Sequence, residues 1–160
     1  MLAMFQEQAG WAFVIFLIAG LSDALDGAVA RYFGQQSELG AYLDPAADKL
    51  LLVTAFIMLG YAEALPQWLV LLVVSRDVLI VGAVLVSHLI ASPLQMKPLM
   101  VSKFNTAFQI ALVTLVLADR AGLVSLGGLA FGLQVAVVGL TIASATAYLR
   151  TWMRHMAQGD

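Results

Sequence analysis

Residues 22–49 read SDALDGAVARYFGQQSELGAYLDPAADK. The stretch sets four aspartates, Asp23, Asp26, Asp44 and Asp48, between long apolar runs on either side. A run of about 20 mostly apolar residues is what a helix needs to cross a bilayer. Working outward, five segments qualify: 10–33, 41–62, 67–91, 100–118 and 128–152. The breaks fall at Gly34–Glu38, Glu63–Pro66, Ser92–Pro98 and Asp119–Gly128. Hydrocarbon offers backbone groups no partner, so such runs read as helices. The apolar residues are continuous rather than alternating, which excludes a β-barrel. The expected fold is all-α, a polytopic membrane helix bundle of five transmembrane helices in a single domain spanning 1–160.

Composition agrees. The 160 residues are 62% hydrophobic and 11% charged, with a mean hydropathy of +0.93, whereas a soluble domain carries about 25% charge. A net charge of −2 argues against a nucleic-acid partner, which would require a basic face. There is no cysteine, hence no disulfide framework and no thiol chemistry. His88 and His155 stand far apart and read as interfacial side chains. The first residues lack the positive region and cleavage site of a signal peptide, and transit-peptide character is missing. The expected location is the bacterial cytoplasmic (inner) membrane, crossed several times.

Lysine and arginine set the orientation. With the first segment running outside to inside, Arg31, Lys49, Lys97, Lys103, Arg150 and Arg154 fall on the cytoplasmic side, Arg120 falls outside, and Arg76 lies within a span. That asymmetry puts the N-terminus out and the aspartates on the cytoplasmic side. In the last segment Gly128, Gly132, Gly139, Ala143 and Ala147 have helix-packing spacing. Packing within the bundle is the favoured reading, and a dimer seam the alternative.

Each intramembrane carboxylate costs about 2.5–3.5 kcal/mol at a helix centre, and four together repel one another unless cations neutralise them. Asp and Arg near helix ends often snorkel to the interface, which accounts for one such residue but not for four in register. Asp23 and Asp26 are three apart, and Asp44 and Asp48 four apart, so each pair shares a helix face. A short connection makes the two helices antiparallel neighbours. Converging carboxylates form an all-oxygen site suited to hard cations such as Mg²⁺ or Mn²⁺. Gly27, Ala30 and Gly40 leave room for a ligand to press on the helix backbone. Arg31 adds a planar fork suited to phosphate. Together they suit a diphosphate.

At these residues the sequence resembles the CDP-alcohol phosphatidyltransferase family, whose signature is D-x2-D-G-x2-A-R-x8-G-x3-D-x3-D. Asp23, Asp26, Gly27, Ala30, Arg31, Gly40, Asp44 and Asp48 meet every spacing, eight fixed positions over 26 residues. The resemblance implies a membrane enzyme, usually six-spanned and homodimeric, that moves a phosphatidyl group from CDP-diacylglycerol to an alcohol and releases CMP. It implies two metal ions, with Asp23, Asp26 and Asp44 as ligands and Asp48 as both ligand and catalytic base. Gly27, Ala30, Arg31 and Gly40 would hold the CDP-lipid. It also implies a further span, bearing an N-x2-T-x2-R-like element, ahead of the first segment seen in this sequence.

Two more stretches, SRDV at 75–78 and SKFNTAFQ at 102–109, resemble the cardiolipin-synthesising branch of the family. Members that make phosphatidylglycerophosphate carry similar elements. Arg76 and Lys103 are interfacial or buried cations in want of an anionic partner, which fits acceptor binding. The acceptor is then phosphatidylglycerol, or alternatively glycerol 3-phosphate. Arg76 beside Asp77 also reads as an internal ion pair. Two other classes compete. A membrane prenyltransferase grips diphosphate through Mg²⁺ but needs more spans and widely separated acidic motifs. An ion transporter explains intramembrane acids but not the fixed glycines and arginine.

Overall fold

A computed structural model describes residues 2–33, 38–89 and 100–157. Within its helices, the side chains of 2–6, 23–24, 26–33, 38–48, 81, 83–89, 151–152 and 154–157 fall outside the description. Five helices follow in order: α1 (Leu2–Phe33), α2 (Glu38–Tyr61), α3 (Gln67–Leu89), α4 (Met100–Arg120) and α5 (Gly128–Ala157). No strand occurs among the described residues. The segments expected from apolar content all correspond to helices. Helix α1 begins earlier than its apolar run and α5 ends later, because Leu, Ala, Met, Gln, Glu and Arg continue a helix readily beyond the hydrocarbon-matching stretch. Most of the turn at 34–38 and the whole of the turn at 92–98, Lys97 included, lie outside the described residues.

The helices form a ring, α1–α2–α3–α5–α4 and back to α1, with α2 and α4 also touching across it. Two described turns close it at one end. At the first, Ala64 N–H donates to the Leu59 carbonyl (2.9 Å) and Glu63 N–H to that of Gly60 (3.1 Å), the Schellman pattern that satisfies the last carbonyls of a helix. Glu63 takes the left-handed conformation this needs, φ 52°. The second turn repeats the pattern with Leu123 N–H on the Ala118 carbonyl and Gly122 N–H on that of Asp119, Gly122 being left-handed at φ 73°. Asp119 Oδ1 then accepts from Leu126 N–H at 3.0 Å. Arg120 Nη2 ties the turns together by donating to the Glu63 carbonyl at 2.9 Å. The first hairpin is tight: a Cβ on Gly60 would sit 2.9 Å from Val70 Cγ2.

The apolar core lies toward that end. Leu52, Phe56 and Leu59 of α2 meet Leu69 and Val73 of α3, Leu112, Val113 and Val116 of α4, and Val137 of α5, with Phe13 and Phe16 of α1 packed alongside. Outside the core the usual pattern is inverted. Trp11, Ile15, Leu50, Leu71, Phe131 and Ile142 are exposed, while Arg76, Asp77, Asn105, Gln109, Thr141 and Ser144 are buried. An apolar exterior of this extent is a surface for lipid, not water. Met100–Arg120 and Gly128–Arg150 are long and apolar enough to cross a membrane, with only 33% and 17% of their apolar windows buried, which separates them from core helices of a soluble protein. In α1 and α2 the described stretches Glu7–Ser22 and Lys49–Tyr61 are apolar as well.

One expectation is corrected. Gly128, Gly132 and Gly139 have open space where a Cβ would stand, so these small residues of α5 do not seat another helix of the described bundle.

Candidate active site

The end of the bundle opposite Arg120 carries the aspartates. Helix α1 is unbroken through Asp23, Asp26, Gly27, Ala30 and Arg31, and α2 through Gly40, Asp44 and Asp48. The three- and four-residue spacings therefore act on continuous helices, and α1 and α2 are in contact. The side chains of these eight residues lie outside the description, as do those of His88 and His155. The donor set they supply is nonetheless carboxylate oxygen on two neighbouring helices, the chemistry that fits Mg²⁺ or Mn²⁺.

The first described side chain beyond Asp48 is Lys49. Its Nζ donates to Asp77 Oδ1 on α3 at 2.8 Å. The same oxygen accepts from Arg76 Nη1 at 2.5 Å. Arg76 Nη2 donates to Ser102 Oγ on α4 at 2.7 Å and to Ser144 Oγ on α5. The guanidinium carbon lies 5.9 Å from the centroid of the Tyr148 ring, within cation–π range. Arg76 is 2% exposed and Asp77 3%. Burial of two unlike charges is tolerable because each is paired and hydrogen-bonded.

The polar face continues inward. Thr141 Oγ1 donates to Asn105 Oδ1 at 3.0 Å, and Gln109 lies one turn beyond Asn105, fully buried. Ser102, Asn105 and Gln109 follow the i, i+3, i+7 face of α4, and Thr141, Ser144 and Tyr148 the same face of α5. Arg76 Nε, Asp77 Oδ2, Asn105 Nδ2 and both amide atoms of Gln109 have no partner among the described residues.

Arg76 is thus the internal ion pair that one reading of SRDV offered, and Lys103 is exposed on α4 beside Ser102. The sequence reading did not foresee the partnership of Lys49 with Asp77, or the serines that hold Arg76. Polar residues repeating at helical spacing within apolar runs were the available signal. A cavity of about 860 Å³ between α1 and α2, lined by Ala12, Phe16, Leu51, Ala55 and Met58, has Glu63 and Arg120 in its wall. It is apolar and lies toward the turn end, away from the aspartates.

A family model described as CDP-alcohol phosphatidyltransferase matches residues 1–153. The chain is 36% identical over 129 residues to a Homo sapiens protein named cardiolipin synthase (CMP-forming), an alignment covering 71% of this chain and 43% of that protein. The Rattus norvegicus protein of the same name gives 37% over 129 residues, with the same coverage. The Streptomyces coelicolor protein of that name is 34% identical over 138 residues, covering 85% of this chain and 63% of its own. The chain thus spans less than half the length of these mammalian relatives. The aspartate pattern on two contacting helices and a family match that runs through all five helices agree, and the chain belongs to the CDP-alcohol phosphatidyltransferase family.

Proposed function

We propose that this protein transfers the phosphatidyl group of CDP-diacylglycerol to phosphatidylglycerol, releasing CMP and forming cardiolipin. The observation that carries the reading is the complete eight-position aspartate pattern on the adjoining helices α1 and α2. The names of the aligned relatives support the choice of acceptor.

Asp23, Asp26, Asp44 and Asp48 are the residues that would hold two Mg²⁺ or Mn²⁺ ions. When bound, these ions neutralise the diphosphate and the charge building on the departing CMP. Gly27, Ala30 and Gly40 leave the helix backbones open to the CDP-lipid, and Arg31 pairs with its phosphate. Asp48 takes the proton of the acceptor hydroxyl. The acceptor oxygen forms its bond to the phosphorus that carries diacylglycerol, and the bond to the bridging oxygen breaks with its electron pair leaving on CMP. Lys103, exposed on α4, is assigned to the acceptor's phosphodiester, Arg76 being engaged by Asp77, Ser102 and Ser144.

The site faces the cytoplasmic side of a bacterial inner membrane in this reading. Lys49 lies at the aspartate end of the bundle, while Arg120 is held at the other, in accord with the positive-inside rule. The outward glycines of α5 suit the seam of a homodimer. The test is CMP release by purified protein from CDP-diacylglycerol and phosphatidylglycerol. EDTA and Asp44→Asn are expected to abolish it, and Mg²⁺ or Mn²⁺ to reverse the EDTA effect. Full turnover in EDTA overturns the metal reading.

A further inference from the structure

Lys49 is the residue after Asp48, and its side chain is fastened outside the aspartate group. Its partner Asp77 is 3% exposed and is itself held by Arg76, which is hydrogen-bonded to α4 through Ser102 and to α5 through Ser144. One ammonium therefore links the aspartate-bearing turns of α2 to a buried junction of three other helices. Helix α2 and its neighbour α3 are otherwise joined, among the described residues, by apolar packing toward the opposite end, where Leu52, Phe56 and Leu59 meet Leu69 and Val73. Apolar packing is non-directional, and it fixes the angle of Asp44 and Asp48 less closely than a hydrogen-bonded ion pair does. Metal sites depend on such outer partners, which hold ligands within about 0.5 Å of the productive geometry.

We propose that Lys49 is a positioning residue: its ion pair with Asp77 fixes the turn of α2 that carries Asp44 and Asp48, and so sets the affinity of the site for divalent cations. The proposal rests on the metal reading of the aspartates given above. Lys49 touches neither substrate nor metal in it.

Electrostatics alone predicts the opposite sign, which makes the test decisive. Lys49 adds a positive charge next to a cation site, and removing that charge by Lys49→Met favours cation binding if charge is all that matters. If the tie positions the turn, the same change weakens binding, by about 10-fold on the scale usual for outer-shell partners. Lys49 is 28% exposed in its side chain, and the substitution leaves the Arg76–Asp77 pair in place, so the bundle retains its buried junction. The experiment is Mn²⁺ titration of the full chain in detergent, free metal being read by electron paramagnetic resonance. Lys49→Met is expected to raise the Kd for Mn²⁺ about 10-fold, and Lys49→Arg, which keeps charge and donor, to restore it to within a few-fold of the unaltered protein. Unchanged or tighter binding in Lys49→Met overturns the proposal, as does a loss shared in full by Lys49→Arg. Absence of Mn²⁺ binding by the unaltered protein overturns the metal reading itself, and this inference with it.

Discussion

Glu63 ends α2 in a conformation that glycine adopts at no steric cost and that glutamate reaches only by crowding its Cβ against the following carbonyl. The equivalent position after α4 is Gly122, so the bundle contains both solutions to the same turn. Glu63 is exposed, and it is its backbone carbonyl, not its carboxylate, that accepts from Arg120. Glu63→Gly therefore removes strain without removing that bond. It is expected to stabilise the protein by about 1 kcal/mol, read as a higher thermal midpoint in detergent. A lower midpoint would show that the carboxylate has a role its exposure does not suggest. At this scale the sequence was uneven. The aspartates stood out because charge in an apolar run has few innocent explanations, and Pro66 marked the first turn. The left-handed glutamate gave no sign, since the turn chemistry that announces such a residue is glycine or asparagine.

At the scale of elements, α3, α4 and α5 each change character along their length. Toward the turn end their inner faces are Leu69 and Val73, Leu112 and Val116, and Val137, all buried and apolar. Toward the aspartate end the same faces present Arg76, then Ser102, Asn105 and Gln109, then Thr141 and Ser144. Helix existence was legible because apolar runs of sufficient length leave the backbone no alternative. The pairing of faces was not, because spacing on one helix does not say which neighbour it meets. Arg76 shows the limit: a cation in a span wants an anion, yet only packing decides between a substrate phosphate and Asp77. The pair's energetics can be tested directly. Asp77→Ala leaves Arg76 buried without its carboxylate, an arrangement that costs about 3–5 kcal/mol. Arg76→Met combined with Asp77→Ala removes both charges and is expected to recover most of that loss in thermal unfolding. A double variant as unstable as Asp77→Ala alone would mean that Arg76 is stabilised chiefly by Ser102, Ser144 and Tyr148.

For the whole molecule, the question left by family membership is the acceptor, and charge and shape bear on it together. Every helix bears exposed apolar side chains among the described residues, so in the proposed reaction a lipid acceptor would reach the bundle with its acyl chains in the bilayer and only its headgroup at the aspartate end. Phosphatidylglycerol brings one phosphodiester charge. Glycerol 3-phosphate is soluble, carries up to two charges, and calls for a denser set of charge-assisted donors. Of the described cations near that end, Lys49 and Arg76 are already bonded to Asp77, which leaves Lys103 exposed on α4 and Arg150 exposed on α5. That supply suits one phosphodiester better than a dianion. Purified protein given CDP-diacylglycerol and Mn²⁺ is therefore expected to convert phosphatidylglycerol to cardiolipin, with little phosphatidylglycerophosphate formed from glycerol 3-phosphate. Lys103→Ala should raise the KM for phosphatidylglycerol several-fold, in keeping with about 0.2–1 kcal/mol for an exposed ion pair, while that for CDP-diacylglycerol stays close to its original value. Labelled glycerol 3-phosphate incorporated efficiently, with no cardiolipin from phosphatidylglycerol, would overturn the acceptor assignment. It would leave the aspartate chemistry untouched, because the donor side of the reaction is the same for either alcohol.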